Sequence, residues 1–219
     1  MNELFIKKVR IWVEPEDDDG AALAALAEVF GKRVTRRMTR LGMMVSAVLK
    51  DMSVTADSSI VYATIYAETC AIEKFLRSFP YPSPQLFQTS IHPSAVEQYL
   101  IQNRQPVREF FPLAGERTLL PRALDCVRLC TGETRILCGG EERGTWLRGT
   151  GISSELNYAW ALELSTDSAA AVGVIRWADD GGLCDYEDMV PQFLEALEQQ
   201  DPLRIGDSED RYLELSWSE

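Results

Sequence analysis

Along this chain, stretches in which apolar residues alternate with polar ones are interleaved with stretches in which apolar residues recur every three or four positions. Residues 5–13 (FIKKVRIWV) are rich in β-formers and predict a strand, which Pro15 and the acidic run at 16–19 bring to an end. Residues 21–30 have strong helix propensity. Residues 32–50 set Val34, Met38, Leu41, Val45 and Leu49 on one face of an amphipathic helix. A second strand follows at 59–66 and a second helical pattern at 68–79. Pro80, Pro82 and Pro84 then predict a loop, because each ring fixes φ and removes a donor. Helices are predicted at 92–102, with Pro93 in the first turn, at 116–131, stopped by Gly132, and at 186–200. Strands are predicted at 107–113, 135–138, 158–164, 171–177 and 212–217. The runs at 158–164 and 171–177, joined by a short polar turn, form the clear hairpin candidate.

Strands alternate with helices through residue 138 and then follow one another directly. That order predicts an α/β fold with a mostly parallel five-stranded sheet, one antiparallel edge strand and helices on both faces. A length of 219 residues predicts a single domain over 1–219. No stretch reaches the roughly 18 apolar residues of a membrane helix, and the N-terminus lacks the apolar run of a signal peptide. A cytoplasmic protein with no membrane span is expected.

Charge narrows the choice of partners. The net charge is −12, and residues 176–219 hold 13 acidic and 3 basic residues, so −10 of it lies there. Such a chain is a poor ligand for nucleic acid or an anionic membrane. Against this trend, Lys32, Arg33, Arg36, Arg37 and Arg40 form a basic cluster, either a solvated helix face or a docking patch for an acidic partner. A single histidine, His92, excludes a multi-histidine metal site; it reads as a hydrogen-bonding residue at a helix start or as part of a binding site. Cys70, Cys126, Cys130, Cys138 and Cys184 are odd in number and scattered, which predicts reduced, mostly buried thiols with no metal and no cofactor. Serine-nucleophile, phosphate-loop and dinucleotide-binding motifs are absent. Glu68, Glu116, Glu141 and Glu142 are the carboxylates open to acid–base work if burial perturbs them.

The segment 87–142 carries the most specific pattern: FQTSIHPSA, then QPVREFFPLAGERTLLPRALDCVRLCTG, then RILCGGEE. It resembles the N-terminal half of β-ketoacyl synthases in the thiolase-like superfamily. Gln105-Pro106 stands for that family's Gly-Pro turn, residues 117–131 for its helix and residues 136–142 for its strand ending in Gly-Gly-x-Glu. Upstream, residues 36–41 resemble the family's Arg-rich helix and residues 59–68 the strand before its variable loop. The resemblance spans about 5–177 and leaves 178–219 as a C-terminal helix and strand extension. Within the family it is to short chain-length-factor-like proteins of aryl polyene and related lipid pathways.

The resemblance implies a thiolase-like half-fold whose nucleophilic cysteine falls on Ala114, counting back from Gly139-Gly140, or on Gly115, counting from Gly132. Neither can attack a thioester. The family's condensing histidines belong to its C-terminal half, and His92 matches none of them. The resemblance therefore implies a catalytically inactive, chain-length-factor-like subunit in fatty-acid or polyketide-type biosynthesis. It would associate as a homodimer or as a heterodimer with a ketoacyl synthase, and meet an acidic acyl carrier protein through Lys32, Arg33, Arg36, Arg37 and Arg40. Two other readings stay open. One is an acyl- or pantetheine-binding module, with its pocket at Ser90, His92 and Glu116 beside Ala114. The other is a carboxylate-dependent thioester enzyme.

Overall fold

In the computed structural model, which describes residues 3–14, 19–30, 38–115, 118–178, 189–208 and 211–218, eight strands form one mixed sheet. They are β1 (Glu3–Val13), β2 (Ser59–Thr64), β3 (Glu109–Ala114), β4 (Arg135–Glu141), β5 (Tyr158–Ser165), β6 (Gly173–Ala178), β7 (Leu203–Ser208) and β8 (Arg211–Trp217), in the order β3-β2-β4-β5-β1-β6-β8-β7. Seven helices accompany them among the described residues: α1 (Asp19–Phe30), α2 (Arg40–Leu49), α3 (Thr69–Leu76), α4 (Pro84–Thr89), α5 (Ser94–Asn103), α6 (Leu119–Leu129) and α7 (Met189–Gln199).

The sheet corrects the five-stranded, mostly parallel expectation. Only β2 with β3 and β2 with β4 run parallel; every other pairing is antiparallel. Strand–helix alternation runs from β1 through β4, yet β1 pairs antiparallel and only β2, β3 and β4 are parallel. The first strand returns to the middle of the sheet, where β1 pairs with β5 on one side and β6 on the other, Phe5 facing both Ser165 and Val174. The predicted hairpin is thereby overturned: β5 and β6 flank β1 and do not pair with each other. A period of two reports which face is buried and is silent on which strand lies alongside.

The sheet is covered on both faces. On one, Val61, Ala63, Leu137 and Leu162 pack under Ala123, Leu124 and Val127 of α6 and Phe193 and Leu197 of α7, with Trp160 edge-on to Phe193 at 5.0 Å. On the other, Ile60, Tyr62, Ile136 and Cys138 pack under Leu41, Val45 and Val48 of α2 and Ala95, Val96 and Tyr99 of α5. Consecutive residues of β2 and β4 feed both cores, which is why their sequences are unbroken apolar runs.

Local chemistry sets the element ends. Thr39 caps α2, its hydroxyl accepting from the Gly42 N–H at 2.9 Å. Helix α4 lies in a stretch for which the sequence predicts no element; Pro84 opens it, where a missing N–H costs nothing, behind a Ser83 cap. Residues 203–208, for which the sequence predicts no element, pair with β8 as β7. The basic stretch at 31–37, Glu116 and Cys184 lie outside the described residues.

Candidate active-site crevice

Because β3, β2 and β4 run parallel, their C-terminal ends open side by side, the position at which α/β sheets form crevices. Ala114 ends β3 directly opposite Thr64, and the Gly115 N–H donates to the Thr64 carbonyl at 3.2 Å. β3 is an edge strand, so Ala114 is exposed, and an edge is where the Pro112 within it is tolerated. The start of β3 is fixed by Glu109, which accepts from the Ser59 hydroxyl at 2.5 Å, the Thr131 N–H at 2.9 Å and the Thr131 hydroxyl at 2.7 Å.

Two buried carboxyls organise the turn after β2. Glu141 accepts from the Thr64 hydroxyl at 2.8 Å and from the N–H groups of Ile65 at 2.5 Å and Tyr66 at 3.2 Å. Burial nevertheless pushes it up to about 7. The Thr64 hydroxyl in turn accepts from Ala67 N–H at 2.8 Å, holding Ala67 at a φ of 51°. Glu68 accepts from the Ala95 N–H at 3.0 Å at the start of α5, and burial drives it up to about 8. The bonds of both carboxyls are made to their own framework. Next along, the buried Glu142 meets the Lys74 ammonium at 3.3 Å.

The other predicted site residues are spread apart. His92 stacks on Tyr62 at 5.4 Å, with its ring nitrogens buried, and burial holds it below the usual imidazole range. The Ser90 hydroxyl donates to the Phe87 carbonyl at 2.8 Å, closing the end of α4. Arg40 is turned inward, its guanidinium 2.5 Å from the Glu14 carboxylate, which removes it from the surface expected of a docking cluster. Lys32, Arg33, Arg36, Arg37 and Glu116 lie outside the described residues. Cys126 lies seven residues into α6, about 10 Å from its start. Burial pushes Cys130 up to about 11 and Cys70 to about 12, and raises Cys126 and Cys138 as well, so all four are thiols at neutral pH.

Among the described residues no three His, Cys, Asp or Glu side chains gather as a metal site, and no helix is long and apolar enough to cross a membrane. Sequence reasoning missed a cavity of about 370 Å³ between α1, α2, α3 and α4, lined in part by Thr39, Lys74 and Gln85. No motif marks those residues, which sit on separate elements.

Three parallel strand ends beside an edge strand, with helices on both faces of the sheet, make this a mixed α/β protein. Solved structures share its fold. The chain is similar to a ketosynthase (ApeO) in complex with its chain length factor (ApeC) from Xenorhabdus doucetiae, with a TM-score of 0.64 and 16% identity over 99% of each chain. It is also similar to the ishigamide ketosynthase/chain length factor, with a TM-score of 0.60 and 14% identity over 81% of this chain and 67% of that one. The likeness is one of fold, and over 99% of the chain it takes in the C-terminal helix and strands. No protein-family profile and no curated protein matches the sequence.

Proposed function

We propose that this chain is a noncatalytic, chain-length-factor-like partner of a ketosynthase in polyketide or aryl polyene-type biosynthesis. The observation that carries the reading is the end of β3. The position to which the resemblance assigns the nucleophile is Ala114 or Gly115, at the C-terminal end of β3, without a side chain able to attack a thioester. The only histidine of the sequence, His92, is stacked on Tyr62 with both ring nitrogens buried. Similarity to ketosynthase/chain length factor complexes supports a ketosynthase as the partner. The exposed edge of β3 is a surface that a second sheet can continue. An acyl carrier protein, being acidic, would approach the basic residues Lys32, Arg33, Arg36 and Arg37.

Co-expression with a ketosynthase of an aryl polyene-type pathway tests the partnership. A 1:1 complex by light scattering after size exclusion is expected; a monomer that captures no ketosynthase overturns the reading. Inactivity has its own test. Ala114→Cys supplies a thiol at the strand end without the condensing histidines of the family that the chain resembles, so the purified variant should form no condensation product from acyl and malonyl carrier proteins. Product formation by that variant alone would show that the chain keeps the rest of a condensing site.

A further inference from the structure

The outer face of α3 and the segments on either side of it hold large apolar side chains in water. Ile72 and Leu76 stand one turn apart on that face, and Phe79 and Tyr81 follow just past the helix end. The ring of Phe75 joins them to α4, lying 5.5 Å from Phe79 and 5.4 Å from Phe87. On the other flank, Arg77 donates to the Thr145 hydroxyl at 3.0 Å and stands 5.9 Å over the ring of Trp146. Trp146 is fixed there, because the buried Glu73 of α3 accepts from the N–H groups on both sides of it, Thr145 at 3.2 Å and Leu147 at 3.4 Å. The surface therefore runs from α4 across α3 to the loop after β4, and it is formed in advance of any contact.

Its size is that of an interface. Ile72, Leu76, Phe79, Tyr81, Phe87 and Trp146 range from 42% to 87% exposed. A free side chain of this kind presents on the order of 200 Å², so the six leave roughly 650 Å² of apolar surface in water. A typical monomer's largest patch is about 300–600 Å². Each partner of a standard stable complex contributes about 600–1,000 Å². Aromatic side chains at the centre are also the usual composition of such a contact.

The distribution of charge says where a second copy can approach. Residues 176–219 hold −10 of the net −12 and form the β7–β8 side of the sheet. α3 follows β2, and the Trp146 loop follows β4; β8 and β7 lie four and five strands beyond β4, about 20 Å away or more. Two copies that meet across α3 keep their acidic sides apart. A twofold contact sets a patch against itself, which an apolar face accommodates.

We infer that the face made by α3, α4 and Trp146 is where two copies of this chain meet as a twofold dimer. It is built from residues other than the β3 edge and is measured without any ketosynthase, so it fails or holds separately from the partner reading.

Sedimentation equilibrium of the isolated full-length chain over a micromolar concentration series tests it. A reversible dimer of twice 24.6 kDa is expected. Phe79→Glu and Tyr81→Glu each set like charges against one another in the contact and should weaken dimerisation at least tenfold. Phe111→Lys, on β3, should leave it unchanged. Circular dichroism checks folding, and Tyr81, the most exposed of the six, keeps the test valid where Phe79→Glu does not fold. A parent chain that stays monomeric across the series overturns the inference. So does a dimer that survives both glutamate substitutions, or one that Phe111→Lys dissolves.

Discussion

Glu68 and Glu141 each accept backbone N–H bonds, which favour the carboxylate, and each is buried, which favours the neutral acid. Burial wins at both, with values of about 8 and about 7 against an ordinary carboxyl near 4.5. A folded-state pKa above the unfolded one gives stability that is full below the unfolded value and lost as pH rises through the folded one. His92 works in the opposite sense: its lowered folded value costs stability only as pH falls below about 6.5. The raised thiols act only as pH rises past about 9. The window from pH 6.5 to 8.5 therefore isolates the two carboxyls. Urea unfolding should show a loss on the order of 2 kcal/mol across it, most of it from Glu68, at about 1.4 kcal/mol per pH unit. Glu68→Gln keeps an acceptor for the Ala95 N–H and cannot ionise, so it should flatten most of that slope. An unchanged slope in the variant would move the pH dependence elsewhere.

Strand and helix contacts give sharper constraints than propensity. Gly139 in β4 has no room for a side chain: a Cβ there would press on the Ala63 carbonyl and approach Trp160 Cζ2 to 2.8 Å. Gly139→Ala is expected to cost about 1–3 kcal/mol in urea unfolding, the range for overpacking a rigid site. Thr39→Ala removes the cap of α2 and should cost about 1 kcal/mol, read as a lower melting temperature. The sequence announces β2 and β4 because burial on both faces leaves unbroken apolar runs, and it announces α5 and α6 because their apolar spacing is helical. It does not announce that β1 lies between β5 and β6, since neighbour choice is set by long-range packing. The strand-end carboxyl Glu141 is legible from the Gly-Gly-Glu pattern, whereas its burial depends on Thr64, Ile65 and Tyr66, some 75 residues away in sequence. The cavity wall of Lys74, Arg40 and Glu142 comes from three separate elements and has no local signature.

At the scale of the molecule, the two edges of the sheet differ in kind. β7 forms one edge and carries Arg204, which pairs across the strand with Glu214 at 3.8 Å; charge of this sort blunts an edge against pairing. The same end of the chain holds −10 of the net −12, so two copies meeting there would repel. β3 forms the other edge. After Glu109 it reads Phe-Phe-Pro-Leu-Ala, without charge, and Phe111 is 40% exposed. Association with a ketosynthase should therefore run through β3, the strand that ends at Ala114. Phe111→Lys places a charge on that edge at a position already open to water, so the isolated chain should melt within a few degrees of the parent. Its affinity for a ketosynthase should fall at least tenfold, about 1.4 kcal/mol, by biolayer interferometry. Arg204→Ala, at the far edge, should leave affinity unchanged. The reverse pattern, with loss on Arg204→Ala and none on Phe111→Lys, would put the partner at β7 and detach the interface from the strand end that carries Ala114.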